Sequence, residues 1–419
     1  MKIFALIDCN NFYVSCERVF DPSLRNRPVM VLSNNDGCVI ARSPEVKKAG
    51  IKMGEPFFKV KPLAKKLQIR VFSSNYALYA DMSSRVMKII ADFFPETEIY
   101  SIDESFALLD NCVFDIEKYC TDIKNKIYKY TGIPVSIGIG QSKTMAKIAS
   151  SIAKSQGKTN VFSFVKNKNT DNYLKNFNVE DIWGIGRKSA SYLYSKGIKT
   201  AYQLKNTPFN ALKSKMGING LRTIQELNNI SCYPLESNPP ASKSIRSSRS
   251  FPNPVNNKNS LKEAVSTFSS IAGLKLRKQQ SKAKYLTVFL MTDRFKTDFK
   301  FLAKTIDFDF PVNDDFSLVN ASLKGLDQIY SKSFFYKKAG IVLGNINHED
   351  FNQMTFFNNN NIEKKESVME IFDKINDKFG KNTLKISSCG INKSLGWQMR
   401  RKMCSPLYTT SWNDLPKAR

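Results

Sequence analysis

The sequence predicts a multidomain α+β protein, and three observations carry that expectation. A chain of 419 residues is long enough for two to four folded units, at roughly 100 to 200 residues per domain. Between residues 3 and 140 the apolar pattern runs strand, helix, strand, strand, helix, strand, a ferredoxin-like order. After a polar segment at 237–250, helix, strands and helix begin again, as expected of a second small α+β unit.

Taken in order, residues 3–7 (IFALI) form a short apolar run that ends at Asp8, the pattern of a buried strand with a carboxylate at its tip. A helix follows through Glu17. Residues 28–33 (PVMVLS) read as a strand, 34–37 as a polar turn and 38–41 as a further apolar stretch, all within a small inserted unit at about 25–75. From Asn75 to Phe94, apolar Leu78, Met82, Val86, Ile89, Ile90 and Phe93 recur at helical spacing, and Pro95 stops the pattern. Segments 98–102 and 105–109 read as the strands of a tight hairpin, with Asp103 and Glu104 at its turn. Residues 115–130 are helical, 135–140 (VSIGIG) a strand and 143–154 a basic helix. A helix-rich stretch at 171–235 contains Trp183-Gly184-Ile185-Gly186. Beyond the polar segment, 261–280 is helical, 284–292 and 298–310 alternate, 315–330 is helical and 339–346 is strand-like. The tail from about 347 holds Gln353-Met354-Thr355-Phe356-Phe357, an Asn run and an amphipathic helix at about 363–379.

Charge narrows the function. Lys and Arg number 64 against 37 Asp and Glu, a net +27, so the molecule should attract polyanions, with nucleic acid first. The middle is the most basic part, residues 151–240 carrying +8 and 241–345 carrying +10. A single histidine, His348, excludes chemistry built on His triads or HExxH zinc sites unless that residue carries it. The eight cysteines show no CxxC pair, which fits free thiols in a reducing compartment. The start, MKIFALIDCNNF, is broken by Asp8 after five apolar residues, and no stretch of about 18 apolar residues exists to span a bilayer. A soluble, cytoplasmic protein with no membrane partner is expected.

Chemistry must then run on carboxylates and metal ions. Phosphoryl transfer uses a pair of hard cations about 3.5 to 4 Å apart, and Mg²⁺ takes oxygen ligands. If the first strand lies beside the hairpin, Asp8 meets Asp103 and Glu104 at one sheet edge, a ligand set that needs no histidine. Alone, an Asp closing a strand is a turn or cap residue, and an Asp-Glu pair in a hairpin is a solvated one. The whole pattern is what points elsewhere.

That pattern resembles the Y-family translesion DNA polymerases. The motifs are DCNNFYVSCE at 8–17, SIDESF at 101–106, GIGQSKTMAKIAS at 138–150 and WGIGRK at 183–188. More narrowly, LSNNDGCVIAR at 32–42, SSNYALYADMSSRVM at 73–87 and SPLYTT at 405–410 resemble the UmuC type, the catalytic subunit of bacterial DNA polymerase V, over almost the entire chain. The resemblance implies a palm at 1–24 and 77–165 with inserted fingers at 25–76. It implies a helical thumb with a helix-hairpin-helix at 166–238, a linker at 239–250, a little finger at 251–346 and a partner-binding tail at 347–419.

It implies error-prone, template-directed DNA synthesis past damage in the SOS response, from dNTP onto a primer 3′-OH. Asp8, Asp103 and Glu104, with the Cys9 carbonyl, would hold two Mg²⁺. Tyr13 would be the steric gate against a ribose 2′-OH. Phe12 and Tyr13 would line the nucleotide site, with Lys47 and Lys154 on the triphosphate. Lys47, in SPEVKK, stands where many relatives have Arg, and Pro44 where they have Tyr, so triphosphate contacts there would lack a bidentate fork. Residues 38–41 would roof the nascent base pair. Ser142, Lys143, Gly184, Gly186, Arg187, Arg246 and Arg249 would contact DNA, mostly at phosphates. Gln353, Met354, Phe356 and Phe357 resemble a sliding-clamp-binding peptide. Implied partners are primed DNA, dNTPs, the clamp, a processed UmuD-type dimer and a RecA filament. The alternative, from another class, is a dormant DNA-bound regulatory scaffold.

Overall fold

The structure, a computed structural model, describes residues 2–109, 115–156, 159–348, 359–390 and 396–415. The Gln353–Phe357 motif lies outside them. The chain forms two compact units, Met1–Pro239 with Lys402–Arg419, and Pro240–Arg401. No helix among the described residues is long and apolar enough to cross a membrane.

The first unit opens with strand β1 (Ile3–Cys9) and helix α1 (Phe12–Phe20). Then come β2 (Val29–Leu32), β3 (Val39–Arg42), α2 (Pro44–Lys48), α3 (Phe57–Lys66) and β4 (Arg70–Ser73). Helix α4 (Tyr76–Phe93) leads to β5 (Thr97–Ile99), β6 (Glu104–Leu109), α5 (Ile116–Thr131), β7 (Val135–Gly140), α6 (Lys143–Gln156) and β8 (Val161–Ser163). Four further helices follow: α7 (Thr170–Lys175), α8 (Arg187–Ser195), α9 (Ala201–Lys205) and α10 (Lys213–Leu227).

The main sheet runs β5-β6-β1-β7-β8. Its first four strands pair antiparallel throughout, and β8 adds in parallel beside β7. With α1, the β2–β4 insertion and α4 between β1 and the hairpin, and α5 between the hairpin and β7, the order β5-β6-β1-β7 is a ferredoxin-like one interrupted by an insertion. β1 is buried along its whole length, which explains why it reads as a continuous apolar run rather than an alternating one. Its odd residues Ile3, Ala5 and Ile7 join a core with α1, α4 and α5, while Phe4 and Leu6 pack with Phe106 and Ala146 of α6. A separate small sheet, β3-β2-β4, has its own core of Met30, Leu32, Val39, Val46, Ile51 and Val60.

Helix α6 approaches the sheet unusually closely, and glycine is the reason. A Cβ on Gly138 would lie 2.0 Å from the Ser150 backbone nitrogen, and one on Gly140 would lie 2.7 Å from that of Ala146. Side chains at either position would push the helix off β7.

The second unit contains β9 (Ile245–Val255), α11 (Lys258–Lys278), β10 (Ser281–Met291), β11 (Phe301–Val312), α12 (Asp315–Ile329), β12 (Tyr336–His348) and α13 (Asn359–Phe379). Its sheet runs β11-β10-β12-β9. Two expectations need correction. The linker at 239–250 ends early, because β9 begins at Ile245. Its inward positions include Ser247 as well as Ile245 and Phe251, so polar residues hid the strand period. The tail at 347–419 is not one piece. Arg277 of α11 donates to Asp373 of α13 at 2.7 and 3.0 Å and to Asp315 at 2.8 Å, which fixes α13 to the second unit, whereas residues 402–415 pack in the first.

Candidate active site

Asp8 and Glu104 sit directly opposite each other on β1 and β6, so their side chains leave the same face of the sheet. The next backbone amide, that of Cys9, donates to the Asp103 carbonyl at 2.8 Å. Three acids separated by 95 positions or more of sequence between Asp8 and the pair therefore meet at one sheet edge. The hairpin turn is stiffened locally. Ser101 Oγ accepts from the Asp103 and Glu104 amides at 3.2 and 3.1 Å and donates to Asp103 Oδ1 at 2.7 Å.

The face carrying these acids is covered by α6, and three of its lysines each take one carboxylate from the sheet. Lys154 is ion-paired with Asp8, Lys147 with Glu104 at 3.0 Å, and Lys143 with Glu98. Lys147 also lies over the rings of Tyr100, Phe106 and Trp183, at 4.4, 5.6 and 5.8 Å. Asp8 is only 8% exposed. Burial, with the nearby Glu104 and Asp103 charges, holds its carboxyl above the ordinary range even though Lys154 pulls it down. Burial likewise pushes the Cys9 thiol well up, so its sulfur stays protonated and its backbone carbonyl is the group available as a ligand.

Among the described residues no three Asp, Glu, His or Cys side chains are gathered as they stand in a metal-ligating cluster. The donor set nevertheless suits hard divalent ions: its side-chain donors are carboxylate oxygens, those of Asp8 and Glu104 on one face, with the lysine ammoniums already supplying positive charge to both. Cations exchanging for those ammoniums would find oxygen ligands and no soft competitor.

Lys47, at the end of α2, is drawn to the same place. Its ammonium is held below the ordinary range by burial, then by the charges of Arg42 and Lys154, with Asp8 opposing. Lys47 therefore feels both Lys154 and Asp8, while Arg42, which acts on Lys47, donates to the Ile51 carbonyl. The Tyr13 ring is half-buried and stacks on Tyr79 with centroids 4.3 Å apart and planes 13° apart. Phe12, expected at the nucleotide, is 3% exposed and belongs to the core, since it takes the inward face of α1.

The expected DNA contacts divide. Gly184 has φ +87°, which a side chain disfavours, and Gly186 caps α8 with open space around it. Both, with Arg187, are exposed. Trp183 anchors that turn, donating from Nε1 to the Tyr100 hydroxyl at 3.0 Å. Ser142 and Lys143 correct the expectation of a phosphate-binding turn. Ser142 is fully buried and donates to the Glu226 carbonyl at 2.7 Å, and Lys143 is 3% exposed on Glu98 and the Pro234 carbonyl. Arg246 and Arg249 do not share a face either, because a spacing of three residues on β9 reverses side-chain direction. Arg246 is exposed, 4.6 Å over the Phe289 ring, whereas Arg249 points with Ile245 and Phe251 toward the helices.

Lys147 and Arg42 were not singled out from sequence. The signal for Lys147 was its place four residues after Lys143 on a predicted helix, one turn along the same face.

Known proteins fit this arrangement. Residues 7–151 match the model of the impB/mucB/samB family, residues 242–356 that of the impB/mucB/samB family C-terminal domain, and residues 366–418 a domain of unknown function, DUF4113. The chain is 38% identical to Protein UmuC of Salmonella typhimurium over 99% of both chains. It is 36% identical to Protein ImpB of Salmonella typhimurium over all of both. Among solved structures, a Y-family DNA polymerase chimera, Dbh-Dpo4-Dbh, is similar with a TM-score of 0.64 at 21% identity, over 83% of this chain and 99% of that one. The chain belongs to the Y-family DNA polymerases, in the UmuC-type branch that the impB/mucB/samB models describe.

Proposed function

We propose that the chain extends a primer 3′-OH from a dNTP, directed by a template and tolerant of damage, as a polymerase of the SOS response in the cytoplasm. The carrying observation is the register that sets Asp8 opposite Glu104, with the Asp103 carbonyl bonded to the Cys9 amide. Asp8, Asp103, Glu104 and the Cys9 carbonyl would hold two Mg²⁺. Bound there, the ions would favour the alkoxide of the primer and neutralise the pyrophosphate that leaves. Lys154, with Lys47 and Arg42, would bind the triphosphate. Lys147 would hold Glu104 in place until ions arrive.

In this reading the main sheet and α4–α6 are the palm, the β3-β2-β4 unit is the fingers, with 38–41 over the base pair, and α7–α10 are the thumb. The Gly184–Arg187 turn would meet DNA phosphates through backbone amides and a cation. The second unit is the little finger, its open sheet face carrying Arg246 and Lys338 toward the duplex. The 50-residue scale of the fingers leaves no long closing helix, which is why loose base-pair checking is expected. Tyr13 would meet the sugar. The sliding clamp at Gln353–Phe357, a processed UmuD-type dimer and a RecA filament would be the protein partners.

The test is extension of a primed template by the purified full chain with Mg²⁺ and dNTPs, in the presence of those partners. Extension that disappears with Asp8→Asn is expected. No extension by the unaltered chain under those conditions would overturn the reading in favour of a non-catalytic scaffold.

A further inference from the structure

Glu17 is wholly buried in α1 and takes no part in the chemistry above. Its Oε1 accepts two hydrogen bonds, from the Tyr79 hydroxyl at 2.6 Å and from the Ser405 hydroxyl at 3.0 Å. Tyr79 is the residue on which Tyr13 stacks, and Tyr76 meets both rings edge-on at 6.4 and 6.5 Å. Ser405 comes from the far end of the chain, 388 residues from Glu17.

The segment around Ser405 is fastened at several further points. Asn75 Nδ2 donates to Ser405 Oγ at 2.9 Å and to the Pro406 carbonyl at 3.1 Å, while Asn75 Oδ1 caps α4 by accepting from the Leu78 amide at 3.4 Å. The Met403 amide donates to Ser73 Oγ at 2.9 Å, and the Ser73 amide donates to the Met403 carbonyl at 2.9 Å. The Lys402 amide donates to Asp36 at 3.2 Å. Tyr408 stacks on Phe20 at 4.8 Å with planes 6° apart. Residues 402–408 thus form a strap bonded to the last residue of β4, to the cap of α4 and to both Glu17 and Phe20 of α1.

We infer that this strap, with Glu17 and Tyr79, positions the Tyr13 ring and so sets sugar selection from the C-terminus. The inference rests on the reading of Tyr13 as the steric gate. A ring excludes a 2′-OH only as well as it is prevented from sliding away. Tyr13 is backed by a parallel ring, and that ring is held by a hydroxyl bond to a carboxylate that cannot turn toward water. Ser405 supplies the second bond to the same oxygen, so removing it loosens Glu17, then Tyr79, then the stack. The strap falls within the segment matched by DUF4113, to which no role is attached.

The test compares dNTP and rNTP insertion by the full-length chain for Tyr13→Ala, Ser405→Ala, Ser405→Thr, Tyr79→Phe and Tyr79→Leu. The Tyr13 ring is read separately by fluorine NMR of 3-fluorotyrosine-labelled protein, with its resonance assigned through Tyr13→Phe. Ser405→Ala and Tyr79→Phe should each lower the preference for dNTP about tenfold, the scale of one lost buried hydrogen bond. Tyr79→Leu should approach Tyr13→Ala, Ser405→Thr should restore selection, and the Tyr13 resonance should shift in Ser405→Ala. Wild-type selection in Ser405→Ala and Tyr79→Leu, while Tyr13→Ala loosens it, overturns the inference. If Tyr13→Ala leaves selection unchanged yet its resonance shifts in Ser405→Ala, the gate reading fails and the positioning stands.

Discussion

Glu17→Gln should flatten part of the pH dependence of stability in the first unit. Burial raises the Glu17 carboxyl from 4.5 to about 7, against the lowering effect of the Tyr79 and Ser405 hydrogen bonds and with a further push from Asp21. Cys16 and Tyr408 are its other titratable neighbours, each with a thiol or phenol raised mainly by burial and so neutral in this range. Because the folded chain holds this proton more tightly than the unfolded one, the contribution is complete below about pH 4.5 and is lost as pH rises through about 7. A displacement of about 2.5 pH units corresponds to about 3 kcal/mol. Glutamine accepts the same two bonds without a charge to desolvate. Urea titrations at about pH 5 and about pH 8, followed by amide exchange in α1 so that the readout belongs to the unit holding Glu17, measure the difference. The wild type should lose about 2.5 kcal/mol more than Glu17→Gln between those conditions, since at about pH 5 part of the contribution is already gone. Parallel losses in the two proteins would refute the assignment of a costly buried charge to Glu17.

Other consequences follow from the same geometry. Lys154→Ala should raise KM for dNTP about tenfold, the scale of one charge-assisted contact, as read by steady-state insertion kinetics. Arg246→Ala should weaken DNA binding and reduce the slope of log affinity against log salt by about one. Arg249→Ala, on the opposite face, should leave that slope unchanged. Gly138→Ala should destabilise the first unit by about 3 kcal/mol or more, since its Cβ would meet the α6 backbone, and thermal unfolding would measure it.

The parts legible in sequence were those written in local pattern. An apolar run closed by Asp8 and a hairpin closed by Asp103 and Glu104 carry their own periodicity, and the order of elements pairs their strands. What escaped depends on contacts that no local period encodes. Lys143 read as a phosphate contact and Lys147 was not singled out, because the glycines that bring α6 onto the sheet reveal their purpose only once the helix is there. The strand at Ile245 was taken for a linker because its inward Ser247 and half-buried Arg249 do not look like core. The Ser405 strap joins residues 330 and 388 positions apart through polar side chains, and hydrophobic patterning is silent on such pairs.

The most direct measurement is anomalous diffraction from crystals of the chain with primed DNA, an incoming dNTP and Mn²⁺ in place of Mg²⁺. Two manganese peaks bounded by Asp8, Asp103 and Glu104, with the Lys154 ammonium moved from Asp8 onto the triphosphate, are the predicted result. Manganese bound elsewhere, with Lys154 still on Asp8 and a nucleotide in place, would contradict it.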